Sequence, residues 1–164
     1  MKQCKPLPPL EDLRKAFAYD PDTGLFTHNR TSGSARKGDV AGSTGKDGYV
    51  RLTFCGYSLK AHRVAWLFST GDDPLELQVD HKDREPSNNR ISNLRLTTSG
   101  PNRANSISKG WFKNRHGQYQ ATIRIAGEHK GLGTYATPEE AAAAFQKKHA
   151  EIYGDFSPYS TQSN

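Results

Sequence analysis

Aliphatic side chains are scarce in this chain. Ile, Leu, Val and Phe together make 28 of its 164 residues, roughly a sixth, below the ~20% at which disorder competes with folding. Disorder also calls for few aromatics and a large net charge. Here seven Tyr, seven Phe and two Trp are present, and 23 basic residues are mixed with 17 acidic ones. The expectation is a folded, loop-rich protein with small cores, and a large enzyme core is excluded. No run of ~18 apolar residues occurs, which excludes a helical membrane span. Two cysteines, Cys4 and Cys55, are too few for a disulfide framework or a Cys-rich zinc site. No apolar stretch follows Met1–Pro6, so no secretory signal is expected, and an intracellular location is.

What the chain has is an uneven surplus of positive charge, +6 overall. Residues 1–70 hold 11 basic and 6 acidic side chains, residues 71–105 hold 5 and 6, and residues 106–164 hold 7 and 5. A slightly acidic centre between basic flanks suits a cation-holding middle kept on a polyanion by its neighbours.

In the N-terminal third, Leu10, Leu13 and Phe17 recur at helical spacing, and the turn residues Asp20-Pro21-Asp22-Thr23-Gly24 predict a helix end near Tyr19. Leu25–Thr27 is a strand candidate. A polar loop over 31–48 carries basic points at Arg36, Lys37 and Lys46. Val50, Leu52 and Phe54 alternate as in a half-buried strand, Cys55-Gly56 turns into Tyr57–Lys60, and a helix runs from Ala61 to a stop at Gly71. His62, at that helix start, could touch phosphate or make a structural hydrogen bond.

The centre holds the chemistry. Leu77–His81 reads as a short strand ending in an acid and an imidazole. A polar loop from Lys82 to Arg90 follows, then a strand over Ile91–Thr97 and a short helix carrying Asn102 and Asn105, with Pro101 in its first turn. This order brings Asp80, His81 and Asn102 together. Asp80 and Asn102 offer the hard oxygens that a divalent cation prefers. His81, on the other side of the strand, can take a proton from an attacking water. Asn93 can bond backbone across the loop and hold His81. Arg84, Arg90, Arg95 and Arg103 could contact phosphates or be solvated charges.

Val79-Asp80-His81, Asn93-Leu94-Arg95 and Asn102 resemble the HNH nuclease core, a ββα-metal module also called a His-Me finger. The likeness is greatest to the subgroup in phage and group I intron homing endonucleases. His62-Arg63-Val64-Ala65-Trp66 and Asn88-Asn89-Arg90-Ile91-Ser92-Asn93-Leu94-Arg95 match that subgroup's patterns. The resemblance implies Asp80 and Asn102 as metal ligands for one Mg²⁺ or Mn²⁺, His81 as general base and Asn93 as the loop brace. It also implies products with a 5′-phosphate and a 3′-hydroxyl. Asn102 stands where many HNH proteins have His, a departure that points to the intron-type subgroup.

The C-terminal stretch has its own pattern. Tyr119, Ala121, Ile123 and Ile125 alternate with Gln120, Thr122, Arg124 and Ala126, which predicts a half-buried strand. Strands near Trp111 and over Lys130–Tyr135 flank it. Thr137-Pro138-Glu139-Glu140 is a capping-box helix start. Ala142, Phe145, His149 and Ile152 share a face toward the sheet, and Gly154 ends the helix. The opposite sheet face would carry Gln120, Thr122 and Arg124, with Lys113, Arg115 and Lys130 as neighbours, in position to read a major groove. This stretch resembles the plant apetala/ethylene-response-factor DNA-binding domain, on Tyr119-x-Ala121-x-Ile123, Leu132-Gly133-x-Tyr135 and Thr137-x-Glu139-Glu140-Ala141-Ala142.

The fold class expected is α+β: an HNH ββα-metal core followed by a three-stranded antiparallel sheet packed on one helix. The expected organisation is a helix and DNA-contacting loop region over 1–48, the nuclease core over 49–105, a linker over 106–109, the DNA-binding domain over 110–156 and a tail over 157–164. The reading is a metal-dependent homing-type endonuclease, monomeric on double-stranded DNA, with no membrane partner and no small-molecule cofactor. Expected DNA contacts are Lys113, Arg115, Gln120, Thr122, Arg124, Lys130, Arg103, Arg36 and Lys37. The rivals are a DNA-binding regulator that does not cut and an RNA-binding protein. The latter is disfavoured because the sheet face lacks paired aromatics for stacking.

Overall fold

A computed structural model describes residues 5–98 and 104–160. The chain divides into two compact units, residues 1–98 and 99–164. Both are mixtures of helix and small antiparallel sheets, so the α+β class holds.

The first unit opens with helix α1, Leu10–Ala16, which buries Leu13 and Ala16. Glu11 and Asp12 lie in its first turn and Arg14 and Lys15 in its last, the arrangement that complements the helix dipole. The helix ends three residues before the expected Tyr19. Phe17 is already extended (φ −132°, ψ 147°), and Phe17–Tyr19 form strand β1. Phe17 is buried and occupies the apolar position that a longer helix would have given it, so the sequence spacing did not separate the two. Strand β1 pairs antiparallel with β2, Phe26–His28, and β2 with β3, Val40–Ala41.

A second sheet joins β4 (Ser43–Thr44), β5 (Val50–Phe54) and β6 (Tyr57–Lys60). Cys55 and Gly56 both have positive φ, 47° and 79°, as a two-residue hairpin turn with right-handed strand twist requires. Helix α2, Ala61–Thr70, buries Ala61, His62, Val64, Ala65 and Leu67. It stops at Gly71, which is left-handed (φ 83°) and donates its N–H to the Leu67 carbonyl.

Strand β7, Gln78–His81, pairs antiparallel with β8, Leu94–Thr97. The strand expected from Ile91 begins at Leu94, because Ile91–Asn93 are a 3-10 turn closed by Asn93 N–H on the Arg90 carbonyl. One core serves all these elements and includes Leu13, Phe17, Phe26, Leu52, Val64 and Val79.

The β1–β2 hairpin also abuts the loop after β7. Ile91 N–H donates to the Pro21 carbonyl, and the Tyr19 hydroxyl donates to the Asn89 carbonyl at 2.8 Å. A Cβ on Gly24 would stand 2.5 Å from Arg90 N and 2.6 Å from Asn89 C. Both are backbone atoms that cannot swing away.

In the second unit, β9 (Trp111–Lys113), β10 (Tyr119–Ile125) and β11 (Glu128–Tyr135) form an antiparallel sheet in the order β11-β10-β9. Helix α3, Pro138–Tyr153, starts with the expected capping box: Thr137 accepts from Glu140 N–H, and the Glu140 carboxylate accepts from Thr137 N–H. It buries Ala141, Phe145 and His149, so the inward face is set by Ala141 and not Ala142. His149 is a packed residue. Its Nδ1 lies 2.8 Å from Ser157 Oγ, among the rings of Phe145, Tyr153 and Tyr159.

Gly24→Ala combines positive φ with a backbone clash and should destabilise the first unit by about 2 kcal/mol or more. Gly33→Ala, at φ 59° with nothing within 4 Å, should cost about 1 kcal/mol from the left-handed backbone alone. Urea unfolding followed by Trp66 fluorescence in a Trp111→Phe background tests the difference. Equal losses would refute the docking role given to Gly24.

Candidate active site

Side chains alternate along a strand, so the neighbours Asp80 and His81 serve opposite faces of β7. On one face, Asp80 lies directly across from Arg95 of β8. Arg95 Nε and Nη2 each approach Asp80 Oδ2 at 2.9 Å. The two side chains are only 9% and 14% exposed. Burial of a carboxylate needs such a counter-charge, which gives Arg95 a role that its strand position did not reveal. It is neither a solvated charge nor free for a phosphate.

On the other face, His81 meets an aromatic wall. Its ring centroid is 5.1 Å from that of His62, nearly perpendicular, and 5.9 Å from Tyr49; His62 and Tyr49 are 5.2 Å apart. Lys60 Nζ sits 5.0 Å from the Tyr49 ring centre. His62 is 4% exposed, and its Nδ1 is buried with no hydrogen-bond partner among the described residues. Of the two alternatives for His62, burial argues against a phosphate contact, and at Nδ1 no hydrogen bond to the described residues is made. The His62 pKa is pushed down to about 3, first by burial and then by the nearby His81, Lys60 and Arg63 charges.

Asn89 bonds the His81 ring, with Oδ1 3.2 Å from His81 Nε2. Asn93 braces the loop instead. Its Oδ1 accepts from Asp83 N–H at 3.1 Å, and its Nδ2 donates to Asp83 Oδ1 and the Asn88 carbonyl, both at 2.9 Å. Its carbonyl accepts from Lys82 N–H. Sequence reasoning passed over Asn89; its signal was the polar pair Asn88-Asn89 in a loop that must cross the end of the imidazole strand. Tyr49, just before the alternating Val50–Phe54 segment, carried no signal of its own.

Asn102 and Arg103 lie outside the described residues. Those residues contain no group of three or more His, Cys, Asp or Glu side chains able to hold a metal, and Asp80 is the carboxylate at the site. A lone carboxylate fits Mg²⁺, which keeps most of its water and is commonly held by one or two carboxylates plus substrate phosphates.

The remaining expected DNA contacts fall on two surfaces. In the first unit, Arg36 and Lys37 are exposed on a loop held by backbone bonds. Arg36 N–H donates to Asp39 Oδ2 and Lys37 N–H to Thr31 Oγ1. In the second unit, Ala121 and Ile123 are buried beneath the helix, which leaves Gln120, Thr122 and Arg124 on the opposite face. Cross-strand register adds Phe112 and Thr134 beside Gln120, and His129 beside Arg124. The same register sets Lys113 opposite Tyr119 and Lys130 opposite Ile123. These two lysines therefore project from the other side of the sheet and reach solvent at its edges, not among Gln120, Thr122 and Arg124. Arg115 is exposed in the β9–β10 turn, and its Nε donates to His116 Nε2.

Residues 59–104 match the HNH endonuclease family. That segment contains His62, Asp80, His81, Asn89, Asn93 and Asn102. An uncharacterized HNH endonuclease of Acanthamoeba polyphaga mimivirus is 32% identical over 117 residues, 68% of this chain and 62% of that protein. The AP2-like ethylene-responsive transcription factor AIL6 of Arabidopsis thaliana is 34% identical over 122 residues, 71% of this chain and 20% of the factor. The chain thus spans about three fifths of the viral relative and a fifth of the plant one. Among solved structures, that of DNA binding and cleavage by the HNH homing endonuclease I-HmuI aligns with 84% of this chain and 77% of its own, at 23% identity and a TM-score of 0.43.

A histidine whose folded pKa lies near 3, against about 6.5 unfolded, binds a proton more readily in the unfolded chain. Stability of the first unit should therefore fall as pH drops from 6.5 toward 3, with a slope of up to about 1.4 kcal/mol per pH unit from His62 alone. His62→Gln should flatten that slope in urea unfolding between pH 7 and 4.5. An unchanged slope would remove His62 as its source.

Proposed function

We propose that this chain is a divalent-metal-dependent DNA endonuclease of the homing type, hydrolysing phosphodiester bonds in double-stranded DNA. One observation carries the reading. Within the segment that matches HNH endonucleases, consecutive strand residues supply a guanidinium-paired carboxylate, Asp80, and a buried imidazole with a fixed orientation, His81. A proton acceptor and a hard-oxygen ligand on the two sides of one strand are what hydrolysis of a phosphodiester needs.

In this mechanism His81 takes the proton of the attacking water. The water oxygen bonds to phosphorus, the bond from phosphorus to the 3′ oxygen breaks, and that oxygen leaves and takes a proton from solvent water to become the 3′-hydroxyl. The 5′-phosphate stays on the other strand end. Asp80 would hold Mg²⁺ or Mn²⁺, with Asn102 as second oxygen donor on the strength of the sequence motif. When bound, the cation neutralises charge on the scissile phosphate and on the leaving oxygen. Arg95 aims the Asp80 carboxylate through its guanidinium contact. Asn93 keeps the loop, and with it the end of β7, in shape.

The flanking regions position DNA. Arg36 and Lys37, with Arg103 from sequence, engage phosphates. Gln120, Thr122 and Arg124 face the groove, while Lys113, Arg115 and Lys130 at the sheet rim meet the backbone on either side. Such a protein would act as a monomer inside the cell that holds its target, with recognition by the flanking regions.

Incubation with supercoiled plasmid carrying candidate sites and Mg²⁺ should produce nicked or linear DNA, and a chelator should abolish it. His81→Ala should lower the single-turnover rate by about 10²–10⁴-fold, as loss of a general base does. Intact DNA in every reaction would defeat the nuclease reading and leave a binding protein. Arg124→Ala should weaken DNA binding and make its salt dependence shallower. Identical binding curves across a salt series would withdraw the sheet face.

A further inference from the structure

We infer that Asn89 is the positioning residue that selects the tautomer of His81, and that the N-terminal β1–β2 hairpin holds Asn89 in place. The inference rests on the nuclease reading for its consequence, but not for its structural content.

A neutral imidazole carries its proton on one nitrogen only, and the hydrogen bond made by the other partner decides which. His81 Nε2 faces the Asn89 side-chain amide at 3.2 Å. The orientation of that amide is set by its other end. Asn89 Nδ2 donates to the Ser87 carbonyl at 3.2 Å, and a carbonyl can only accept. Oδ1 is therefore the atom turned to His81, and it too can only accept. His81 must place its proton on Nε2, so Nδ1 is the nitrogen that carries none. A flipped amide would set Oδ1 against the Ser87 oxygen and Nδ2 against Nε2, exchanging the tautomer and removing the base at Nδ1.

Asn89 is 2% exposed, so water does not compete for these bonds. Its backbone is clamped as well. Asn89 N–H donates to the Ser87 carbonyl, and the Asn89 carbonyl accepts from the Tyr19 hydroxyl at 2.8 Å. Gly24 of the same hairpin packs against the Asn89–Arg90 peptide with no room for a side chain, and the Pro21 carbonyl accepts from Ile91 N–H. Three hairpin residues thus converge on the backbone that carries one amide. Burial raises the Tyr19 pKa to about 12, so its hydroxyl keeps the proton it donates. Asn93, by contrast, bonds Asp83 and the Asn88 carbonyl and shapes the loop without setting the ring.

The test joins a spectrum to a rate. Two-bond ¹H–¹⁵N correlation spectra of the full chain near pH 8, without DNA or metal, should show His81 with its proton on Nε2, its signals identified by their loss in His81→Gln. Asn89→Leu removes the acceptor and should give mixed or reversed tautomers. It should lower kcat on plasmid DNA by about 10–100-fold, the range typical for loss of a histidine's orienting partner, with KM within twofold. Asn89→Asp keeps an acceptor oxygen and should retain the Nε2–H form and recover much of the rate lost in Asn89→Leu. Tyr19→Phe, which leaves the amide itself intact, should lower kcat by a few fold. A wild-type spectrum with the proton on Nδ1 overturns the inference, as does an Asn89→Leu protein whose His81 tautomer and kcat are unchanged. Should Asn89→Leu not fold, the wild-type spectrum together with Asn89→Asp and Tyr19→Phe decides. If no form cuts DNA, the nuclease reading fails, while the spectra still decide the Asn89 assignment.

Discussion

The register between two four-residue strands governs the candidate site. With Asp80 opposite Arg95 and His81 opposite Leu94, the carboxylate meets its guanidinium and the imidazole turns to the side of His62, Tyr49 and Asn89. The side-chain period of a strand is two, so a slip of one residue would exchange the faces. Asp80 would then enter an aromatic wall without its guanidinium partner, and His81 would face an arginine. Burial of both residues makes such a slip costly, because a buried carboxylate without its counter-charge is strongly destabilising. The ribbon is short, and its register is pinned by the bonds at its loop end, where Asn93 ties the chain after His81 to the chain before Leu94.

Scarcity of aliphatics shapes the rest of the first unit. Its core joins Leu13, Leu52, Leu67 and Leu94 to Tyr19, Phe26 and Phe68, whose rings contact one another, and to Phe17, which meets His28 and Phe54. A thin core leaves much of the ordering to hydrogen bonds and close backbone approach. The β1–β2 hairpin shows the consequence: it reaches the loop after β7 through a phenol, a carbonyl and a glycine without room for a methyl group. Short, tightly seated contacts of this kind hold geometry well and bury little area, which suits an element that positions a neighbour.

Much of the fold was legible because its signals are local. The Thr137–Glu140 capping box, the stop at Gly71, the Cys55-Gly56 hairpin and the alternation through Tyr119–Ile125 each depend on residues within a turn or two of one another, and each appears where expected. The misread boundaries share a cause. Phe17 and Ile91 are apolar residues that pack inward in more than one backbone conformation, so spacing alone could not separate helix from strand at Phe17 or strand from 3-10 turn at Ile91. Lys113 and Lys130 were misplaced relative to Gln120, Thr122 and Arg124 because the face of an edge-strand residue depends on register. For Lys130, a bulge between the partners of Ala121 and Thr122 shifts that register, and nothing in the composition of β11 announces it.

The sequence by itself determined the chemical inventory: an acid beside an imidazole at the end of a strand, an asparagine-rich loop after it, and a basic surplus on both sides of an acidic centre. Those are properties of residue type and order. Tertiary structure alone decided the partners. That Arg95 is paired with Asp80, that His62 is buried, and that Asn89 and not Asn93 bonds the His81 ring all follow from strand pairing and from contacts between residues up to 70 positions apart. A hydrogen bond needs its two atoms about 3 Å apart, and chain order does not specify distances of that size between remote residues.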